Sequence, residues 1–285
     1  MRQLNYFVSV IFRIGRKITP SFQALIENSL TKVVELLIEK GADVNHERFS
    51  MGTALTAASK SGHAVIVSHL LNAGADVNAA DEESGCALYG ALSHDFPDVA
   101  EILLAAGAQP HPCLDCSGCR GPLHVAAYRG FANIVDTLIR RGANVNAHAG
   151  WRTPLIAASE WGHKCVVQRL LAAGADVNDT DEESRCALHG ALGRGHTNVA
   201  KLLLSTGAEP NTHGGLHGAP LQAAAYRGLG EAVKLLLDDG ADVHQNGGLS
   251  GNALNATSSE GHLMIVNQLL IAGADVNDMR ILDPP

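Results

Sequence analysis

Three cysteines, Cys113, Cys116 and Cys119, stand at C-x2-C-x2-C spacing inside the stretch HPCLDCSGCRGPLH. Thiolates so spaced converge on one metal ion, and His111 or His124 is at hand as a fourth ligand. Iron–sulfur proteins use a similar run with a fourth cysteine, which this stretch lacks. Three readings follow: a zinc or other metal site, a redox-sensitive loop, or an inert loop. Fourteen histidines spread through the chain are the other reservoir of chemistry. They form no HExxH pattern, and no glycine-rich phosphate loop accompanies them. Catalysis needs a nucleophile or base held in a desolvated pocket beside an orienting group, and no motif here supplies one. The expectation is a protein that is not an enzyme and uses no cofactor.

The composition narrows the class further. The 285 residues are 46% apolar and 18% charged, too hydrophobic for a disordered chain. No run of 18 apolar residues occurs, which excludes a membrane-spanning helix. The net charge of −8 argues against a nucleic-acid partner, because neutralising phosphates takes clustered Lys and Arg. Six cysteines are too few for a disulfide scaffold and suit a reducing, intracellular compartment. The cytoplasm is the expected location, with the nucleus as an alternative. Residues 1–20 differ from the rest: Arg2, Arg13, Arg16 and Lys17 occur there without an acid. On a helical wheel Leu4, Phe7, Ile11, Ile14 and Ile18 cluster opposite Ser9, Arg13 and Arg16. This lead-in reads as a capping helix or eroded repeat, with a mitochondrial address or a membrane-surface helix as rivals.

What positions any site is a repeat. Gly-Ala recurs at Gly41, Gly74, Gly107, Gly142, Gly174, Gly207, Gly240 and Gly273, at spacings of 32 to 35 residues. Around it runs a longer sentence: TALTAASKSGHAVIVSHLLNAGADVN at 53–78 returns as TPLIAASEWGHKCVVQRLLAAGADVN at 153–178. Each unit reads as two short antiparallel helices. The first opens at a capping Thr followed by Pro, as at Thr153-Pro154, and stops at a glycine such as Gly62 or Gly162. The second carries an apolar stripe such as Val166, Val167, Leu170 and Leu171. Pairs such as Ala57-Ala58 and Ala126-Ala127 keep the first helices thin enough for close stacking. Ala-Asp-Val-Asn then has turn chemistry leading into a projecting loop. A longer period overlies this one, since DEESGCALYGAL at 81–92 returns as DEESRCALHGAL at 181–192. Duplication of a three-unit block accounts for it, and a partner that itself repeats is the alternative.

The T-P-L-H-x-A-A…G-H…L-L-L…G-A-D-V-N sentence, with Pro122-Leu123-His124 and Gly162-His163 as local examples, resembles the ankyrin repeat family. The array is also similar to those attached to fungal NACHT-type receptors. The resemblance implies an all-α ankyrin-repeat solenoid of antiparallel helix pairs with projecting hairpin loops. It covers residues 21–278, as one degenerate unit followed by seven full ones, and leaves 279–285 as a short tail. The degenerate unit, at 21–45, has Ser29 where the inter-helix glycine belongs. The resemblance also assigns His63, His124, His163 and His262 to structural hydrogen bonds between loops. The segment corresponding to the cysteine stretch, NTHGGLHGAP at 211–220, has no cysteine, which favours the inert-loop reading. Cys86 and Cys186 hold the Thr position of their units and Cys165 opens a second helix, so all three read as packing.

Specificity in such an array must sit where packing leaves residues free to vary, namely the loop tips and the late positions of the first helices. The resemblance implies that these line one concave face. The late positions include Tyr128, Arg129, Glu160, Trp161, Tyr226 and Arg227. The tips include Trp151 and Arg152, flanked by the acidic runs Asp81, Glu82, Glu83 and Asp181, Glu182, Glu183. Trp, Tyr and Arg are enriched at binding hot spots. The expected function is therefore non-catalytic protein binding, with a partner that carries basic segments opposite the acidic tips. A transcription coregulator or ubiquitin-ligase adaptor, and a metal- or redox-responsive scaffold, are the alternatives. Self-association through the array ends is a further expectation, because the final helix pair keeps Leu263, Ile265, Val266 and Leu269.

Overall fold

The computed structural model describes residues 20–46, 52–81, 85–110, 121–148, 152–215, 218–248 and 251–278, with the backbone alone at 20–28 and 81. Fifteen helices lie among them. The first, α1 (Pro20–Glu39), stands alone, and the other fourteen form seven consecutive pairs. These are α2 (Ala54–Lys60) with α3 (Ala64–Asn72), α4 (Ala87–Ser93) with α5 (Pro97–Ala105), and α6 (Pro122–Arg129) with α7 (Ala132–Arg140). Next come α8 (Pro154–Glu160) with α9 (Lys164–Ala172) and α10 (Ala187–Gly193) with α11 (Thr197–Ser205). Last are α12 (Pro220–Tyr226) with α13 (Gly230–Asp238) and α14 (Ala253–Glu260) with α15 (Leu263–Ile271). The expected degenerate unit has become a single 20-residue helix. Ser29 stands where the full repeats place a residue of positive φ, a glycine or, between α4 and α5, Asp95, and the helix continues through it.

The local chemistry of a pair is clear in α8 and α9. Thr153 accepts a hydrogen bond from the Ile156 N–H at 3.3 Å, and Pro154, which has no N–H to satisfy, fills the first helical position. Gly162 ends the helix at φ 75°, and a Cβ there would come within 2.6 Å of the His196 ring in the next repeat. Glycine is thus needed twice over, for its backbone angle and for the space. Leu155, Val166, Val167 and Leu170 are each at most 1% exposed, and Ala157 and Ala158 at most 2%. Burial of a Leu or Val side chain contributes about 1.5–3 kcal/mol, and the stacked pairs repeat that contribution.

The chain divides into two compact units. One holds the described residues as far as Ala126 together with Asp136–Ala143, and the other holds Ala127–Val135 and the described residues from Asn144 onward. Within each, the Asn of Ala-Asp-Val-Asn does more than turn the chain. In the first unit Asn45 accepts from the Asp76 N–H at 2.7 Å and donates to the Gly74 carbonyl at 3.0 Å. In the second unit Asn178 accepts from the Glu209 N–H at 2.9 Å and donates to the Gly207 carbonyl at 3.1 Å. Asn211 repeats the pattern with Asp242 and Gly240 at 2.8 and 3.0 Å. Each such amide ties one repeat to the next.

Two of the projecting loops show hairpin pairing among the described residues. In the first unit β1 (Ala80–Asp81) pairs antiparallel with β2 (Gly85–Cys86), and in the second Thr180 bridges Cys186 in the same way. At α15 the apolar surface is open: Leu263 is 70%, Met264 76% and Ile271 88% exposed. Of the expected lead-in at 1–20, residues 1–19 lie outside the described residues and Pro20 opens α1; the tail at 279–285 also lies outside them.

Candidate partner-binding face

The side chains that could recognise a partner occupy two columns in the second unit, fixed by the glycine that ends each first helix. Two positions before that glycine stand Tyr128, Glu160, Gly193 and Tyr226 in successive repeats. Immediately before it stand Arg129, Trp161, Arg194 and Arg227. Helix stacking turns these columns into ladders. Tyr128 meets Trp161 edge to face, with ring centroids 5.0 Å apart and planes at 67°. Such an arrangement contributes about 0.5–1.5 kcal/mol beyond its buried area. The Arg129 guanidinium lies 5.8 Å from the Tyr128 ring centre, and that of Arg194 lies 5.1 Å from the Trp161 ring. Although held on both sides, Trp161 remains 42% exposed.

Charged pairs surround this aromatic centre. Glu160 is gripped by Arg152 and, at 3.0 Å, by Arg194. Arg152 also approaches Asp181 at 3.7 Å. Asp181 is the pin of its hairpin: one carboxylate oxygen accepts from the Glu183 and Arg185 N–H groups at 3.0 and 2.9 Å. The other accepts from Arg185 Nε at 2.9 Å, and the Asp181 side chain is only 1% exposed. The sequence groups Asp181 with Glu182 and Glu183 in one acidic tip, and the structure separates it from them. Its charge is turned inward and neutralised, whereas Glu182 and Glu183 remain exposed and Arg185 also reaches Glu183 at 3.3 Å.

The remaining expected residues divide as follows. Tyr226 presents its carbonyl to the His262 Nε2–H at 3.2 Å, as Tyr128 does to His163 at 2.9 Å. These histidines tie repeats together. Arg227 is exposed at the end of α12. Trp151, Glu82, Glu83 and the side chain of Asp81 lie outside the described residues, as do His111, Cys113, Cys116 and Cys119. His124 is buried in α6 at 3% exposure. Cys186 is fully buried, with its sulfur 3.2 Å from His189 Nδ1. Burial pushes the Cys186 thiol up, but the hydrogen bond and charge of His189 outweigh it and bring the thiol down to about 7. No reactant reaches it there.

Sequence reasoning missed Arg185, Arg194 and Gly193. The signal was available for Arg194, which stands 33 residues after Trp161 in the same column. Gly193 removes the side chain that Tyr128, Glu160 and Tyr226 supply elsewhere, and a Cβ there would meet open space. The result is a cleft of about 250 Å³ whose lining includes Arg152, Arg185, Arg194 and Arg227. Gly214 and Gly215 border it, and a Cβ on Gly214 would lie 2.0 Å from the Ser184 carbonyl oxygen.

The sequence model for ankyrin repeats matches overlapping stretches from residue 21 to 280, and the chain belongs to that family. The human ASB11 ankyrin repeat domain has a similar fold: its TM-score is 0.67 at 24% identity, over 81% of this chain and 98% of that one. Human ankyrin repeat and KH domain-containing protein 1 is 41% identical over 66 residues, which are 23% of this chain and 2% of that protein. The E3 ubiquitin-protein ligase XBAT33 of Arabidopsis thaliana is 38% identical over 89 residues, 27% of this chain and 17% of that protein. This chain therefore spans a small part of those relatives. The ankyrin fold is a protein–protein interaction module, and among the described residues no helix is long and apolar enough to cross a membrane.

Proposed function

We propose that this protein is a non-catalytic scaffold that binds a partner protein through the ladder face of its second unit. The observation that carries this reading is Trp161, large, apolar and 42% exposed between Tyr128 and Arg194. Side chains held by their neighbours lose little freedom on binding, and Trp, Tyr and Arg dominate the energetics of interfaces. The similarity to ubiquitin ligases lies within about a quarter of the chain and carries over the repeat, so the adaptor reading adds nothing to this one.

The test is affinity capture from an extract of the source organism with three baits. These are the wild type, Trp161→Ala/Arg194→Ala, and a control carrying Val65→Asp on the exposed side of α3, where Val65 is 60% exposed. Matching helical circular dichroism qualifies the baits. A protein retained by wild type and control but lost from the double variant supports the face. Identical captured proteins from all three baits contradict it.

A further inference from the structure

The acidic tips pointed to a basic partner, but the charged side chains that line the cleft of the second unit are arginines with Glu160 alone beside them. Arg152, Arg185 and Arg194 share the carboxylates of Glu160, Asp181 and Glu183. Arg227, the fourth arginine on the cleft, has no ion pair among the described residues. The four arginines therefore exceed the carboxylates they meet by one charge, in a chain whose net charge is −8. Glu182, beside Glu183, and Glu260, 33 residues after Arg227 in the same column, are exposed and lie outside the cleft lining, where screening over about 8 Å at physiological ionic strength weakens their effect.

Shape sharpens the inference. Gly193 leaves open space where its repeat neighbours place Tyr or Glu, and the cleft it lines is also lined by Arg194 and Arg227. Arg194 is committed on one side, by its bond to Glu160 and its stacking on Trp161, yet its side chain is 49% exposed. A guanidinium carries five N–H donors, so Arg194 keeps donors for a second acceptor. We propose that this cleft receives the carboxylate side chain of an Asp or Glu in an extended partner segment. Arg227 supplies the paired N–H donors, Arg194 a further one, and an adjacent apolar residue of the segment packs on Trp161. A single carboxylate matches the one unbalanced charge and the bidentate geometry of one free guanidinium. A dianionic phosphate would leave a charge uncompensated. The proposal deepens the partner-binding reading above and rests on it.

The test uses amide-capped peptides of sequence Gly-Ser-Leu-X-Leu-Ser-Gly, with X as Glu, Lys or phosphoserine. They are titrated into the full chain while NMR follows the arginine Nε–H and tryptophan indole resonances, which register even millimolar binding. The Glu peptide is expected to bind at least about fivefold tighter than the Lys peptide, and to weaken as salt rises from about 50 to 300 mM. Arg227→Ser removes an exposed guanidinium, and Gly193→Leu fills the cleft at a position with no backbone strain. Each should weaken the Glu peptide at least about fivefold while leaving the melting curve in place. Equal binding of the Glu and Lys peptides overturns the proposal, as does no binding, or a Glu peptide indifferent to both variants. Phosphoserine binding more than about tenfold tighter than Glu overturns the carboxylate assignment. A captured partner lost from Trp161→Ala/Arg194→Ala but kept by Gly193→Leu and Arg227→Ser leaves the face standing and removes the cleft. Specific Glu-peptide binding alongside identical captures from every bait does the reverse.

Discussion

Asp181 carries a charge that the sequence offers to solvent and the fold takes for itself. Its carboxylate closes a hairpin through two backbone N–H groups and Arg185, and Arg152 lies nearby. Removing one partner of a buried charged pair strands the other, at a cost of about 3–5 kcal/mol. Arg185 is 25% exposed, so water recovers part of that here. Asp181→Ala is therefore expected to cost about 2–3 kcal/mol, read as a lower urea midpoint, and Asp181→Asn less. If Asp181→Ala melts with the wild type, the carboxylate is not the pin described. Composition could not reveal this role, because Asp-Glu-Glu-Ser reads equally well as a solvated turn. The decision comes from where the following Arg185 and the preceding repeat's Arg152 fold back. Trp161 and Arg129 were legible as exposed anchors from position alone. Arg194 occupies the same column and was open to the same reading, but its stacking on the Trp161 ring shows only in the structure.

At the scale of helices and turns, most of the architecture was written in the glycine register. A residue that must adopt positive φ at a fixed interval fixes where helices stop, and the apolar stripes then fix which faces meet. The two kinds of glycine nevertheless differ. Gly162 combines φ 75° with a His196 ring atom 2.6 Å from where a Cβ would lie, whereas Gly174, at φ 88°, faces open space. Gly174→Ala should therefore cost only the backbone strain, about 1–2 kcal/mol, and Gly162→Ala clearly more. Equal losses in thermal melts would mean that the ring simply moves aside. The inter-repeat asparagines were read only as turn formers, because a sequence shows the local bond and hides the one made some thirty residues away. Asn178→Ala removes a donor and an acceptor across repeats at once and should cost about 1–2 kcal/mol. An unchanged urea midpoint would reduce Asn178 to a turn residue. The α4–α5 repeat keeps its turn with Asp95 at φ 71° in the glycine's place, whereas α1, with Ser29 there, runs on as one helix.

At the scale of the molecule, each unit is a stack whose repeats contact their neighbours, so stability is distributed and recognition is free to concentrate. The proposed face lies in the second unit. Its ladder of Arg129, Tyr128, Trp161 and Arg194 leads to a cleft that Gly193 opens and Arg227 borders. The repeat pattern singled out the columns that carry Tyr, Trp and Arg, the face proposed to bind a partner. It could not show which ionisable side chains pair with one another, and the proposed acidic partner segment rests on that pairing. The central claim is that this face binds the partner, and hydrogen–deuterium exchange of the complex with the captured protein tests it most directly. The account predicts slowed exchange in peptides covering residues 152–161 and 180–194, with α9 and α11 unchanged. Slowing confined to α9, α11 and α13 would place the partner on the second helices and contradict the account.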